Sequence, residues 1–91
     1  MSILVKRYSA EWCGPCQMLK PVFQNLKAGF STSGISFVDV DIDSNREDAI
    51  NASVRSVPTV IVYKNGQEVS RLIGAKPESA YREELTKALN Y

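Results

Sequence analysis

Cys13 and Cys16 are the only cysteines in the chain, and they stand three positions apart at a change of hydrophobic period. Before them, Ile3 to Tyr8 is a short β-prone run rich in Ile, Val and Tyr. After them, Met18, Leu19, Val22, Phe23 and Leu26 recur at the spacings of one helical face. The pair is therefore tied to a strand–turn–helix corner, and three positions is the reach of one helical turn. Pro15 suits the first turn, where its missing N–H costs nothing. Pro21 lies inside the apolar pattern, which continues to Leu26, so a kink is expected there and not an end.

The rest of the chain follows the same alternation. Gly29 to Gly34 reads as a loop, and Ile35 to Val40 as a second strand. Phe37 and Val38 are adjacent and both large, which predicts at least partial cover on both faces of that strand. Ser44 and Glu47 fit a capping box, with helical spacing running on through Ala49 and Ile50 toward Val54. Thr59 to Tyr63 is a nearly unbroken β run, the candidate for a buried strand. Asn65-Gly66 predicts a tight hairpin, with Glu68 to Ile73 as the antiparallel partner. Gly74 breaks it, and Pro77 opens a last helix to about Leu89 that carries Tyr81, Leu85 and Ala88 on its inner face. The order β-α-β-α-β-β-α gives an α/β fold, residues 1–91 as one domain. It predicts a four-stranded mixed sheet with helices on both faces.

Composition narrows the chemistry. The 91 residues contain no histidine, so no His-based triad or proton shuttle can be built within the chain. Two cysteines fall short of the four ligands of a structural zinc site, and no metal or cofactor is expected. Eleven basic against ten acidic residues leave a net charge of +1, which gives no electrostatic case for nucleic acid or a membrane surface. No apolar run approaches the length of a membrane span, and the first residues do not read as a signal peptide. The chain reads as cytoplasmic.

What remains is sulfur chemistry. Helix-terminal N–H groups and the helix dipole stabilise an anion, so Cys13 should ionise more readily than a free thiol. Cys16, further into the helix, should be less exposed. The first thiolate can attack a disulfide, and the second can then attack the mixed disulfide. Gly14 allows a partner's backbone close approach, and Pro15 restricts the loop. The competing reading, half of a metal knuckle or two buried small side chains, needs neither the strand–helix corner nor the adjacent Trp12. An indole left beside the sulfurs either packs or meets a partner.

These residues resemble the thioredoxin family over essentially the whole chain. Ala10-Glu11-Trp12-Cys13-Gly14-Pro15-Cys16 is similar to its active-site segment, and Pro21 to its helix-kinking proline. Val54-Arg55-Ser56-Val57-Pro58-Thr59 is similar to the segment with its cis-proline, and Asn65-Gly66 and Gly74 to its hairpin and groove glycine. The resemblance implies a minimal thioredoxin fold and a thiol–disulfide oxidoreductase that reduces protein disulfides. It implies Cys13 as nucleophile and Cys16 as resolving thiol. Trp12 would belong to the contact surface, and Val57, cis Pro58 and Gly74 to the substrate groove. Against this, Pro58 and Gly74 can also be read as ordinary turn residues. The implied partners are disulfide-containing proteins and an electron donor like thioredoxin reductase, with the chain a monomer.

Three departures from the family stand out. Only two residues precede Ile3, where the family has a further strand and helix. That predicts an exposed sheet edge at Ile35–Val40, an exposed part of one face, and a size closer to glutaredoxins. Arg7 occupies the position of the family's buried acid and Asp39 that of its lysine, so the pair is charge-reversed. Arg7 cannot accept a proton. It is expected either to favour the thiolate or to snorkel into solvent through an uncovered face. Ser9 replaces a second tryptophan. Two other functions stay open: an oxidase or disulfide isomerase of the same fold, and a non-catalytic binding or accessory subunit.

Overall fold

The computed structural model describes residues 2–90. The elements follow the order β1 (Ile3–Ser9), α1 (Gly14–Gly29), β2 (Ile35–Asp41), α2 (Arg46–Asn51), β3 (Thr59–Lys64), β4 (Gln67–Ile73) and α3 (Glu78–Asn90). The sheet order is β2-β1-β3-β4, with β1 parallel to β2 and antiparallel to β3, and β3 antiparallel to β4. This is the predicted mixed four-stranded sheet, and β2 is one of its edges.

The period-2 alternation of β1 sorts its side chains between two cores. Ile3 and Val5 join Leu19, Phe23 and Leu26 of α1 and Tyr81, Leu85 and Ala88 of α3. Tyr8 points the other way, to Val40, Ala49 and Ile61 on the α2 side. Central strand β3 serves both cores, so Thr59 to Val62 are all buried, as an unbroken apolar run requires. The rings of Phe23 and Tyr81 meet edge-on at 5.0 Å and bind α1 to α3.

The α1 helix passes through Pro21 without ending, and its buried residues Cys16, Leu19, Phe23 and Leu26 form one stripe. It includes Gly29, where a loop was expected, and turns off at Phe30. The hairpin is of the primed kind: Asn65 and Gly66 both have positive φ, 53° and 84°. Asn65 also exchanges two bonds with Ser2, its N–H donating to the Ser2 carbonyl and its Oδ1 accepting from the Ser2 N–H.

One further expectation is corrected. The N-cap of α2 is Asn45, not Ser44, and no side chain caps the helix. Asp41, at the end of β2, takes the amides instead: its Oδ1 accepts from Asp43 and Ser44 N–H at 2.8 and 3.3 Å. The Asn45 carboxamide likewise turns back to the Asp41 carbonyl. With Ser44 drawn into that turn, the helix starts one residue later and stops at Asn51, before Val54. Both faces of β2 are partly covered, as expected, but unevenly. Phe37 packs on the larger core, whereas Val38 is 41% exposed on the α2 side.

Candidate active site

The Cys13–Cys16 corner is built by backbone bonds at the end of β1. Cys13 N–H donates to the Ala10 carbonyl at 3.2 Å, and the Gln17 side chain reaches the same carbonyl. Cys13 is then the N-cap of α1, in extended conformation, and its Sγ accepts from Cys16 N–H at 3.2 Å. A sulfur at this position sits where the first amides of the helix have no intrahelical partners. The two cysteines are joined as a disulfide, with Cα atoms 5.3 Å apart. Both are buried, Cys16 the more deeply, at 1% against 5% exposure. Ala10, Ile42 and Val57 pack around them.

The Val57–Pro58 segment closes one side of this corner. Its peptide bond is cis. The Thr59 hydroxyl donates to the Ser56 carbonyl at 2.8 Å, and Gly74 N–H donates to the Pro58 carbonyl at 2.8 Å. The Val57 carbonyl oxygen lies 3.8 Å from Cys13 Sγ. Gly74 has φ of +84° and open space where a Cβ would stand. Conformation, not crowding, therefore favours glycine there. Gly14 is also open, with no atom within 4 Å of a Cβ position.

Around the sulfurs the surface is apolar. Trp12 is 68% exposed and Ile73 56%. Ile73 is the register partner of Thr59, which puts it beside the cis segment. The indole is fixed by one polar contact, its Nε1–H donating to Asp43 Oδ2 at 2.9 Å. The structure thus brings together Trp12, Cys13, Cys16, Val57, Pro58 and Gly74 from separate stretches of chain.

Arg7 and Asp39 are register partners across the parallel β1–β2 pair, and Arg7 Nε donates to Asp39 Oδ1 at 2.9 Å. Solvent snorkelling is overturned: Arg7 is 6% exposed. Strand alternation turns it toward α1, where its guanidinium carbon sits 5.2 Å from the Phe23 ring centroid. Its Nη1 is buried without a hydrogen-bond partner. Among the described residues no hydrogen bond or ion pair joins Arg7 to either cysteine.

Sequence reasoning missed a second polar cluster, on the α2 face. Lys6 Nζ and the Tyr8 hydroxyl both donate to the Asp48 carboxylate at 2.8 Å. Those two bonds, Lys6's first, hold the Asp48 carboxyl below its ordinary value. Burial first, and then the bond to Asp48, raise the Tyr8 hydroxyl. The only signal was that Lys6 and Tyr8 share one face by period 2. Their acid lies 40 positions beyond Tyr8. Among the described residues no group of His, Cys, Asp and Glu gathers as a metal site, and no helix is long and apolar enough to cross a membrane.

Comparison with known proteins gives the same answer as this geometry. The family model described as Thioredoxin matches residues 1–87. A thioredoxin of Mycobacterium tuberculosis (strain H37Rv) is 42% identical over 77 residues, covering 85% of this chain and 66% of its own length. That of Coprinus comatus is 36% identical over 75 residues, covering 82% and 71%. The chain therefore spans about two thirds of these relatives, or slightly more. The X-ray structure of Fasciola hepatica thioredoxin superposes with a TM-score of 0.88 at 36% identity, covering 96% of this chain and 81% of that one. A mutant thioredoxin from Halobacterium salinarum gives 0.88 at 30%, covering 97% and 75%. With its Cys-x-x-Cys disulfide held at the head of α1, this chain belongs to the thioredoxin family.

Proposed function

We propose that this chain reduces disulfides of other proteins, with Cys13 as nucleophile and Cys16 as resolving thiol. One observation carries the assignment: Cys13 Sγ is the N-cap atom of α1 and accepts the Cys16 N–H. A thiolate is stabilised at that position by the same amides. In the reduced protein the Cys13 thiolate attacks one sulfur of the substrate disulfide. The other substrate sulfur leaves as a thiolate and takes up a proton. The Cys16 thiolate then attacks Cys13 Sγ, and the second substrate sulfur leaves. Two electrons pass to the substrate, and the Cys13–Cys16 disulfide remains. The exposed Trp12 and Ile73 and the backbone of Val57 supply the contact surface for an extended substrate segment. An electron donor like thioredoxin reductase restores the dithiol. The protein works as a cytoplasmic monomer.

Equilibration with glutathione of known ratio tests the direction. A reductant lies at about −270 mV, whereas a dedicated oxidant lies at about −120 mV. A value at the oxidising end would overturn the reductase reading and leave an oxidase. An inert dithiol would leave a binding subunit. Order of attack is read separately: iodoacetamide at neutral pH should modify Cys13 before Cys16 in the reduced protein. Cys16→Ser should accumulate mixed disulfides through Cys13. Faster labelling of Cys16 would reverse the roles.

A further inference from the structure

A cavity of about 240 Å³ lies between α1 and the β1–β2 pair, and neither cysteine lines it. One wall is a single helical stripe, Lys20, Phe23, Gln24 and Lys27, at the i, i+3, i+4, i+7 spacing that puts side chains on one face. The opposite wall is formed by two register pairs, Val5 with Phe37 and Arg7 with Asp39, together with Val38 of β2. Two aromatic side chains thus share the lining with three cations and one carboxylate.

The charges do not balance. Three cations against one acid leave two positive charges in excess around a small space. The Asp39 carboxylate pairs with Arg7 through Nε. Arg7 itself is 6% exposed, and its Nη1 has no acceptor. A buried guanidinium with an unfilled donor is costly. Lys20 and Lys27 are exposed, and among the described residues neither forms an ion pair. An added anion would offset each of these deficits.

We propose that this cavity binds a small organic acid, its carboxylate drawn to Arg7, Lys20 and Lys27 and its apolar body seated on Phe23 and Phe37. Size limits the ligand, since drug-sized sites run from about 300 Å³ upward. The aromatic walls argue for a hydrocarbon body, because a bare inorganic anion would leave them unfilled. The site is separate from the dithiol, and the proposal does not depend on the reductase reading.

Benzoate is the probe, with benzamide as its neutral counterpart of the same shape. Both are titrated into the oxidised full chain and followed by amide NMR correlation spectra. Saturable shifts are expected for the amides of Arg7, Lys20, Gln24, Lys27, Phe37 and Asp39, with those of Trp12 and Gly74 unmoved. Benzamide should bind at least about tenfold more weakly, because it lacks the charge-assisted contacts. Replacing both Lys20→Gln and Lys27→Gln should weaken benzoate about fivefold, as for two partly exposed ion pairs. Both positions are on the surface, so the fold survives the change, and unaltered amide dispersion would verify that. The proposal is overturned by any of three results: no saturation, equal affinity for benzamide, or shifts centred on the dithiol corner.

Discussion

Arg7 carries a full charge into the face that α1 and α3 cover, and its ion pair is lopsided. The Arg7 side chain is 7% exposed and that of Asp39 66%. Removing the acid leaves a buried cation without its partner, whereas removing the cation leaves an acid already in water. Asp39→Ala should therefore cost about 1–3 kcal/mol of stability. Arg7→Met should be neutral or stabilising, because a buried charge is exchanged for hydrocarbon of similar length. Urea unfolding of the two variants decides it, and an Arg7→Met protein less stable than Asp39→Ala would refute the account. Gly74 offers a second test at this scale. Its φ of +84° disfavours any side chain, so Gly74→Ala should cost about 1–2 kcal/mol although there is room for the methyl. The sulfur pair was legible in the sequence from its place at the strand–helix corner, and the Arg7–Asp39 neighbourhood from the family resemblance. The inward turn of Arg7 and its orphaned Nη1 were not, because they depend on which helix covers which face.

Among the elements, α2 is the least secured. It has six residues, no side-chain cap and one buried residue, Ala49. Two outside groups steady it. Asp48 receives Lys6 and Tyr8 from β1, and Arg71 of β4 donates to the Ala52 and Ser53 carbonyls just past its end. Amide exchange in α2 should outpace that of α1 and α3, whose inner stripes are buried on the sheet. Equal protection would show that α2 opens only with the whole molecule. The Asp48 contacts also give a pH signature. A carboxyl held below its unfolded value adds stability above about pH 3.9, and that stability is lost as pH falls through the folded value. Asp48→Asn should therefore lower the urea midpoint at neutral pH and bring it closer to the parent's at about pH 3. A difference independent of pH would remove the ionic explanation. The element order was readable from periodicity alone, whereas the start of α2 was not. Ser44 and Glu47 satisfy the capping pattern, but Asp41 takes the Ser44 N–H that the Glu47 side chain would accept, and local pattern gives no weight to that competition.

For the molecule as a whole, stability is concentrated on one side of the sheet. Among the described residues, the core beneath α1 and α3 has ten buried side chains, against four on the α2 side. Leu26, fully buried in the larger core, should cost about 2–5 kcal/mol when replaced by Ala. Ile50, 70% exposed on α2, should change stability by no more than about 0.5 kcal/mol on the same replacement. Comparable losses at the two sites, measured by urea unfolding, would mean that the exposed residue has packing not seen in this fold. The mixed sheet and its helices on both faces were legible, because each element carries its own period. The cavity beside β2 was not. It exists only where four helical side chains meet two strands, and those pieces come from three separate stretches of sequence.

The central place of β1 bears on how the protein is made. This strand leaves the ribosome before its neighbours, yet it pairs with Ile35–Asp41 on one side and Thr59–Lys64 on the other. Arg7, for example, waits for Asp39 and then for Val60. Ile3 to Ser9 therefore waits for one neighbour until Asp41 has been made and for the other until Lys64 has been made. Pairings this distant in sequence form slowly, and an unpaired strand is an aggregation hazard while it waits. Lys6 and Arg7, which end up in ion pairs on opposite faces of the finished sheet, place two charges within that strand, and charge inside a β-prone run opposes aggregation.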